Sequence, residues 1–328
     1  MADIVSSSVP NGESSINSTG PPSRAAKEHP ASRYPDTHDR AVDEPLLPSL
    51  ASVSASLHAK IEAFLSESHP PSSRLHLVQQ KTTSSLEVIQ EALSKFKLRE
   101  LSLSYNGGKD CLVLLVLFLS CLHPLPEPSP VPGNKGEQRA FANPSDNSLL
   151  TQKELEVKND SEPPTSIPAI YARPSHPFPS VEAFVDSSSR IYHLSLTRYT
   201  PTPHVTLRDT FASYLEKYPG IKAIFVGTRR TDPYGENLTP FKRTDQGWPD
   251  FVRIHPVLHW NYRDIWTFIR HLGVEYCSLY DEGYTSLGGT DNTRPNPTLR
   301  VSSSPNENPT YQPAYNLLED ALERLGRD

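Results

Sequence analysis

The stretch from Leu101 to Leu119, LSLSYNGGKDCLVLLVLFL, leaves this chain few folds to choose from. Leu101 to Tyr105 is a short apolar run that stops at Asn106-Gly107-Gly108. A second, strongly apolar run begins at Cys111 and continues to Leu122, long enough for about three turns of helix. Strand, glycine turn and buried helix in this order form the unit that begins a parallel α/β sheet. Two glycines let the backbone approach a ligand closely and adopt positive φ. The amides that follow open at a helix N-terminus, where an anion is welcome. Asp110 falls in the first turn, good for the helix and available to a metal or a ribose. The stretch therefore reads as a phosphate loop, with a plain glycine turn closing a buried hairpin or crossover as the alternative. It is not the familiar one: Asp110 follows Lys109, and Leu103 stands where G-x-x-x-x-G-K-[ST] has its first glycine. The dinucleotide pattern G-x-G-x-x-G fails as well.

Composition narrows the remaining possibilities. In 328 residues the hydrophobic fraction is 36% and there are 33 prolines, so part of the chain is expected to stay unfolded. A net charge of -6 argues against a nonspecific nucleic-acid binder, which carries a basic surplus. Cys111, Cys121 and Cys277 are too few and too scattered for a disulfide framework or a paired-cysteine zinc site. Free thiols suit a reducing compartment. No apolar run is long enough to span a bilayer, and the N-terminus lacks an apolar signal core. The expectation is a soluble, cytoplasmic monomer with no membrane or nucleic-acid partner.

Read in order, residues 1–50 are rich in Ser and Pro and are expected to be disordered. Leu57, Ile61, Phe64 and Leu65 fall on one helical face, and Leu86, Ile89, Leu93 and Phe96 on another; these two helices are expected to cover one face of the sheet. Pro124 to Pro168 holds nine prolines and no apolar periodicity, the composition of a solvated, disordered insertion. A strand is expected at Ala169–Tyr171, a short helix around Val181, Phe184 and Val185, and a strand at Arg190–Leu196. Leu207, Phe211, Tyr214, Leu215 and Tyr218 make the next helical face, stopped by Pro219-Gly220. Ile221–Val226 reads as a buried strand running into Gly227-Thr228-Arg229-Arg230. Thr231–Gly247 reads as a polar loop and Phe251–Ile254 as a strand. Tyr262, Ile265, Trp266, Ile269 and Leu272 form a helix capped by Asn261 with Asp264. Asn292–Pro313 is turn-prone, and a last helix is expected over Ala314–Leu325, with Leu318, Leu322 and Leu325 facing inward. The β-α alternation predicts a Rossmann-like, doubly wound, mostly parallel α/β sheet, with its ligand site beyond the carboxyl ends of the strands, where Asn106 and Gly227 sit.

The loop SYNGGKD resembles the SGGKDS-type pyrophosphate loop of enzymes that split ATP between its α- and β-phosphates, with Asn106 at the first Ser of that pattern and Cys111 at the last. GTRRTDPYGENLTPFKRTDQGWPDFVRIHPVLHW from Gly227, YRDIWTFIRHLGVEYCSLYDEGYTSLGG from Tyr262, NTRPNP from Asn292 and LERLGR from Leu322 narrow the likeness. Together they resemble the FMN adenylyltransferase (FAD synthase) family in its short, fungal form. The resemblance covers residues 51–328 apart from the 124–168 insertion, and implies a C-terminal flavin-binding extension on the nucleotide-binding sheet. It implies ATP and FMN as substrates, FAD and pyrophosphate as products, and Mg2+ as cofactor. By position in the motifs, Ser104, Asn106, Gly107, Gly108 and Asp110 hold ATP phosphates. The main chain at Ile170 and Tyr171 reads adenine, and Gly227 and Thr228 form a second nucleotide loop. Asp232 contacts metal or ribityl, and Asp110 is the other metal candidate. Asp245, Trp248 and Arg253 belong to the flavin pocket, and Arg324 and Arg327 to the catalytic set with Asn106, Asp110 and Asp232.

Plainer readings exist for several of these residues. Asp232 before Pro233 is a common turn starter, Trp248 could be core, and Asp320 with Arg324 could be an exposed helix pair. Cys111 reads as a packing residue, and His255 and His259 lack a third metal ligand. Two rival functions remain, a phosphoadenylyl-sulfate reductase-like enzyme and a nucleotide-binding scaffold without turnover. The first needs a reactive cysteine beyond Cys277, which this chain does not have.

Overall fold

The computed structural model describes residues 47–126, 163–200, 205–301 and 309–327. The sheet has six strands in the order β3-β2-β1-β4-β6-β5. These are β1 (Leu101–Ser104), β2 (Ile167–Ala172), β3 (Leu194–Tyr199), β4 (Ala223–Phe225), β5 (Phe241–Arg243) and β6 (Val252–Ile254). All neighbours pair parallel except β5 with β6. The chain steps outward from β1 to β2 and β3, then returns to place β4 on the other side of β1. That reversal leaves a crevice beyond the carboxyl ends of β1 and β4, where doubly wound sheets hold ligands.

The loop after β1 takes its shape from Gly107, whose φ of 71 lies in the left-handed region that only glycine enters freely. It delivers the chain into α3 (Lys109–Ser120), where every residue but Asp110 is buried. A helix apolar all round must be covered on all sides. The helices α1 (Leu50–Ser66) and α2 (Arg74–Lys95) supply that cover together with the later helix α6 (Tyr262–His271). Their main packing partners are thus α3 and α6 rather than the sheet itself, which corrects the expectation. Ser49 caps α1 by accepting from the Ser52 N–H at 3.1 Å, and Leu50 is already buried, so the folded domain begins just before residue 51. Residues 1–46 lie outside the described residues.

Helix α4 (Pro179–Ile191) follows β2 on the same side as α3, where Val181 and Val185 join the main core, and α5 (Leu207–Lys217) follows β3 on the other face. Phe211 and Tyr214 of α5 close a second core with Ile170, Ile221, Ile224 and Phe251. The expected strand at Arg190–Leu196 straddles two elements. Helix α4 runs to Ile191, and His193 turns the chain with a φ of 52 before β3.

The insertion needs its boundary redrawn. Ile167 and Pro168 pair with Leu194 and Ser195 inside the sheet, and the Ser102 hydroxyl donates to the Pro168 carbonyl at 3.1 Å. Residues 127–162 lie outside the described residues. The loop Thr231–Gly247 contains β5, a strand hidden by Lys242 and Arg243, which face solvent on the sheet edge.

The C-terminal region departs most from expectation. Asn296 is fully buried, the Val301 N–H donates to the Thr310 carbonyl at 2.8 Å, and Arg300 bridges Tyr311. The described parts of Asn292–Pro313 are therefore packed. No α-helix spans Ala314–Leu325, only short 3-10 turns at Ala314–Asn316 and Asp320–Leu322. Leu317 is buried and Leu322 packs against the core, whereas Leu318 and Leu325 are 70% and 52% exposed. The segment is held by side chains of other loops: the Thr285 hydroxyl donates to the Glu323 carbonyl at 2.6 Å and Asn296 Nδ2 to the Leu322 carbonyl at 2.8 Å. Among the described residues no helix is long and apolar enough to cross a membrane, and all three cysteines are free.

Candidate active site

A cleft of about 380 Å3 opens at the carboxyl ends of β1, β2 and β4. Ser104, Asn106, Gly108 and Asp110 line it from the glycine loop, Tyr171 from β2, Gly227, Thr228 and Asp232 from the loop after β4, and Arg324 and Arg327 from the tail. Asn106 holds the loop by accepting the Gly108 N–H at 3.0 Å and the Cys111 thiol at 2.9 Å. Burial pushes that thiol up to about 12, so Cys111 is a neutral hydrogen-bond donor and no nucleophile. A methyl group on Gly227 would lie 2.9 Å from the Cys111 amide nitrogen. Only glycine lets the β4 loop sit this close to the first turn of α3.

A network of five charged side chains forms part of the cleft's lining. Lys109 Nζ is 3.0 Å from Asp110 Oδ2 and 2.6 Å from Glu323 Oε1. Arg229 Nη2 reaches both Glu323 oxygens at 2.8 and 2.7 Å and Asp232 Oδ1 at 3.0 Å. The Arg229 main-chain N–H donates to Asp232 Oδ2 at 2.8 Å. Lys109, Arg229 and Glu323 are buried, and two cations face three carboxylates. Burial alone raises the Asp110 carboxyl, but the charges of Arg229 and then Lys109 outweigh it and hold the group below its ordinary value. Burial likewise disfavours the Arg229 charge, and Asp110, Glu323 and Asp232 more than offset that, so its pKa is raised.

The two metal candidates differ in what they can offer. Both Asp232 oxygens already accept hydrogen bonds from Arg229. Asp110 Oδ1 is buried without a hydrogen-bond partner, since Arg229 Nε lies 3.0 Å away but off the N–H axis. A spare hard oxygen beside a phosphate loop fits a hard divalent cation. The Lys109 N–H is occupied by the Tyr280 hydroxyl at 2.9 Å.

Several expected site residues are not among those lining the cleft. Ile170 points into the second core, and its carbonyl accepts the Tyr105 N–H at 2.9 Å, so of that pair only Tyr171 reaches the cleft. Gly107 shapes the loop from behind, with Val185 2.8 Å from where a methyl group would stand. Asp245, Trp248 and Arg253 form their own group on the β5–β6 hairpin. There Asp245 pairs with Arg253 at 3.1 Å, and the half-exposed Trp248 ring lies 6.3 Å from Phe211. Arg324 and Arg327 do reach one cleft, though not from one helical face. Arg327 Nη1 donates to the Leu287 carbonyl at 2.7 Å, and Asp320 accepts the Arg263 N–H at 2.9 Å, so it serves α6. The imidazole of His255 faces the Thr239 carbonyl at 3.0 Å, and burial lowers its pKa to about 4. Glu67, His69 and His271 bring three donor atoms together outside the cleft, but Glu67 Oε2 already bonds both imidazoles.

Sequence reasoning assigned no role to Lys109, Arg229, Glu323 or Tyr280. Lys109 carried a signal: a charge sealed between a glycine turn and an apolar run must be buried, and a buried charge needs a partner.

Glycine loop, switch-point crevice and nucleotide-sized cleft define a nucleotide-binding α/β protein. Residues 208–295 match the family described as phosphoadenosine phosphosulfate reductase domain. A probable FAD synthase of Schizosaccharomyces pombe is 36% identical over 79% of this chain and 83% of that protein. Flavin adenine dinucleotide synthase of Saccharomyces cerevisiae is 36% identical over 70% of this chain and 67% of that protein. The crystal structure of Candida glabrata FMN adenylyltransferase in complex with FAD and inorganic pyrophosphate superposes with a TM-score of 0.72 at 29% identity, covering 87% of this chain and 99% of that one. The chain belongs to the FAD synthase family.

Proposed function

We propose that this protein makes FAD by transferring the adenylyl group of ATP to FMN, with release of pyrophosphate. The observation that carries the reading is the convergence, in one cleft, of the glycine loop, Asp110 and the tail arginines Arg324 and Arg327. An FMN phosphate oxygen attacks the α-phosphorus of ATP; that O–P bond forms as the bond to the β-phosphate oxygen breaks. The nucleophile is largely ionised at neutral pH, since the second pKa of a phosphomonoester is about 6, so no general base is required. The site's task is to align two anions and neutralise charge on the transferred and leaving groups. Asn106 and Gly108 shape the loop against the triphosphate, Ser104 lies beside it, and Arg324 and Arg327 face the phosphates. Asp110, through Oδ1, would hold a magnesium ion, which would supply charge neutralisation at the phosphates.

Tyr171, Gly227 and Thr228 flank the nucleoside, and Asp245, Trp248 and Arg253 take the flavin, the carboxylate accepting from the ring imide. The three free cysteines support a cytoplasmic setting, and monomer is the proposed state. The test is incubation of the purified protein with ATP, Mg2+ and FMN, followed by chromatography for FAD. Asp110→Asn is expected to remove nearly all turnover while circular dichroism stays unchanged. ATP binding without any FAD would establish the scaffold reading instead.

A further inference from the structure

The tail carries two of the proposed catalytic arginines without a helix to hold them. Beyond Leu317 its apolar anchoring is thin: Leu322 packs against the core only in part, and Leu318 and Leu325 are largely exposed. The side chain that enters the protein is Glu323, 7% exposed and immediately before Arg324. Its carboxylate accepts two hydrogen bonds from Arg229 Nη2 and one, at 2.6 Å, from Lys109 Nζ. Lys109 opens α3 behind the glycine loop, and Arg229 belongs to the loop after β4. One carboxylate thus ties the two phosphate-facing loops to the tail. The main chain around it is fixed in the same register: Thr285 and Asn296 bond the carbonyls of Glu323 and Leu322, and the Arg294 N–H donates to the Gly326 carbonyl at 2.8 Å. The Arg327 guanidinium then lies flat on Gly288, where a methyl group would be 2.5 Å from Cζ.

We propose that Glu323 is a positioning residue for adenylyl transfer, a buried charged latch that sets Arg324 and Arg327 over the glycine loop. Its carboxylate, at the floor of the cleft, is taken up by Arg229 and Lys109, and it acts through them on the placement of the tail. The kinetic part of this proposal rests on the FAD synthase reading. Only an acid fits the role, since two buried cations converge on it. Glutamine keeps the shape but puts an N–H2 where one of them must be met.

The experiment compares wild type, Glu323→Gln, Glu323→Asp, Arg324→Ala/Arg327→Ala, and Glu323→Gln in that double-alanine background. In Glu323→Gln, kcat is expected to fall about 100-fold, the loss expected when a positioning contact shifts a group by about 1 Å, with the KM for ATP changed less than kcat. In the double-alanine background the same change should alter kcat by less than about 2-fold, because residues acting as one unit are non-additive. Tryptic cleavage after Arg324, followed by mass spectrometry, is expected to quicken in Glu323→Gln and, by less, in Glu323→Asp, which keeps the charge. Fully additive losses, or a tryptic rate equal to wild type in both Glu323 variants, would overturn the latch. Should wild type form no FAD, the functional reading fails, and the tryptic rates still decide the latch. If Glu323→Gln does not fold, Glu323→Asp carries both readouts.

Discussion

Replacing Arg229 by methionine removes the cation on which Asp110, Asp232 and Glu323 converge, and leaves Lys109 to face them alone. The arginine is 1% exposed, so water cannot take its place. Breaking a buried ion pair by deleting one partner costs about 3–5 kcal/mol, a large part of the 5–15 kcal/mol that holds a typical domain together. Urea unfolding at pH 7.5 should show a loss in that range. The pH dependence follows from the sign of the Asp110 shift. In wild type its carboxyl lies below the ordinary value, so its stabilising contribution is complete above the unfolded pKa of about 4 and is lost as pH falls through the folded one. In Arg229→Met the largest of the lowering charges is gone, so the folded carboxyl rises from its wild-type position. The variant's folded state then holds a proton more readily than wild type's, and acid costs the variant less. The cost of the substitution should therefore be smaller at pH 4.5 than at pH 7.5. A loss below about 1 kcal/mol at pH 7.5, or the same loss at both pH values, would refute the view that this network is a dry electrostatic hub.

Trp248→Ala should weaken FMN binding measured by flavin fluorescence and leave ATP affinity unchanged; equal weakening of both would make the indole merely a packing partner of Phe211. Replacing residues 127–162 by a short Gly/Ser linker should leave melting temperature and FAD formation within error, because loop closure depends only weakly on length. His255, lowered to about 4 by burial, stays neutral when folded while its unfolded counterpart takes a proton below about 6.5. Its contribution is therefore complete above pH 6.5 and falls by up to about 3 kcal/mol as pH drops to 4. His255→Asn should flatten the stability profile in that window, and an unchanged profile would show that the imidazole is hydrated.

What the sequence by itself determined is what neighbours along the chain decide. Asn106-Gly107-Gly108 between two apolar runs can only be a turn between a buried strand and a buried helix, and β1, the glycine loop and α3 follow from it. Alternation of such units then dictates a parallel sheet and puts Asn106 and Gly227 at one end of it. The glycine loop and Gly227 of the cleft were legible for that reason, whereas Tyr171, Asp232, Arg324 and Arg327 were legible only through the family resemblance. The tertiary structure decided the rest. Leu317 rather than Leu318 turns inward because the tail is tied to Thr285 and Asn296 and does not obey a helical period. The edge strand β5 exists because β6 offers it a partner, not because FKR has a strand's pattern. The charged hub joins Glu323 to Arg229 and Lys109 across separations of 94 and 214 residues. Whether a charge is buried, and by which opposite charge it is met, depends on where the topology returns the chain, and no local pattern of residues carries that information.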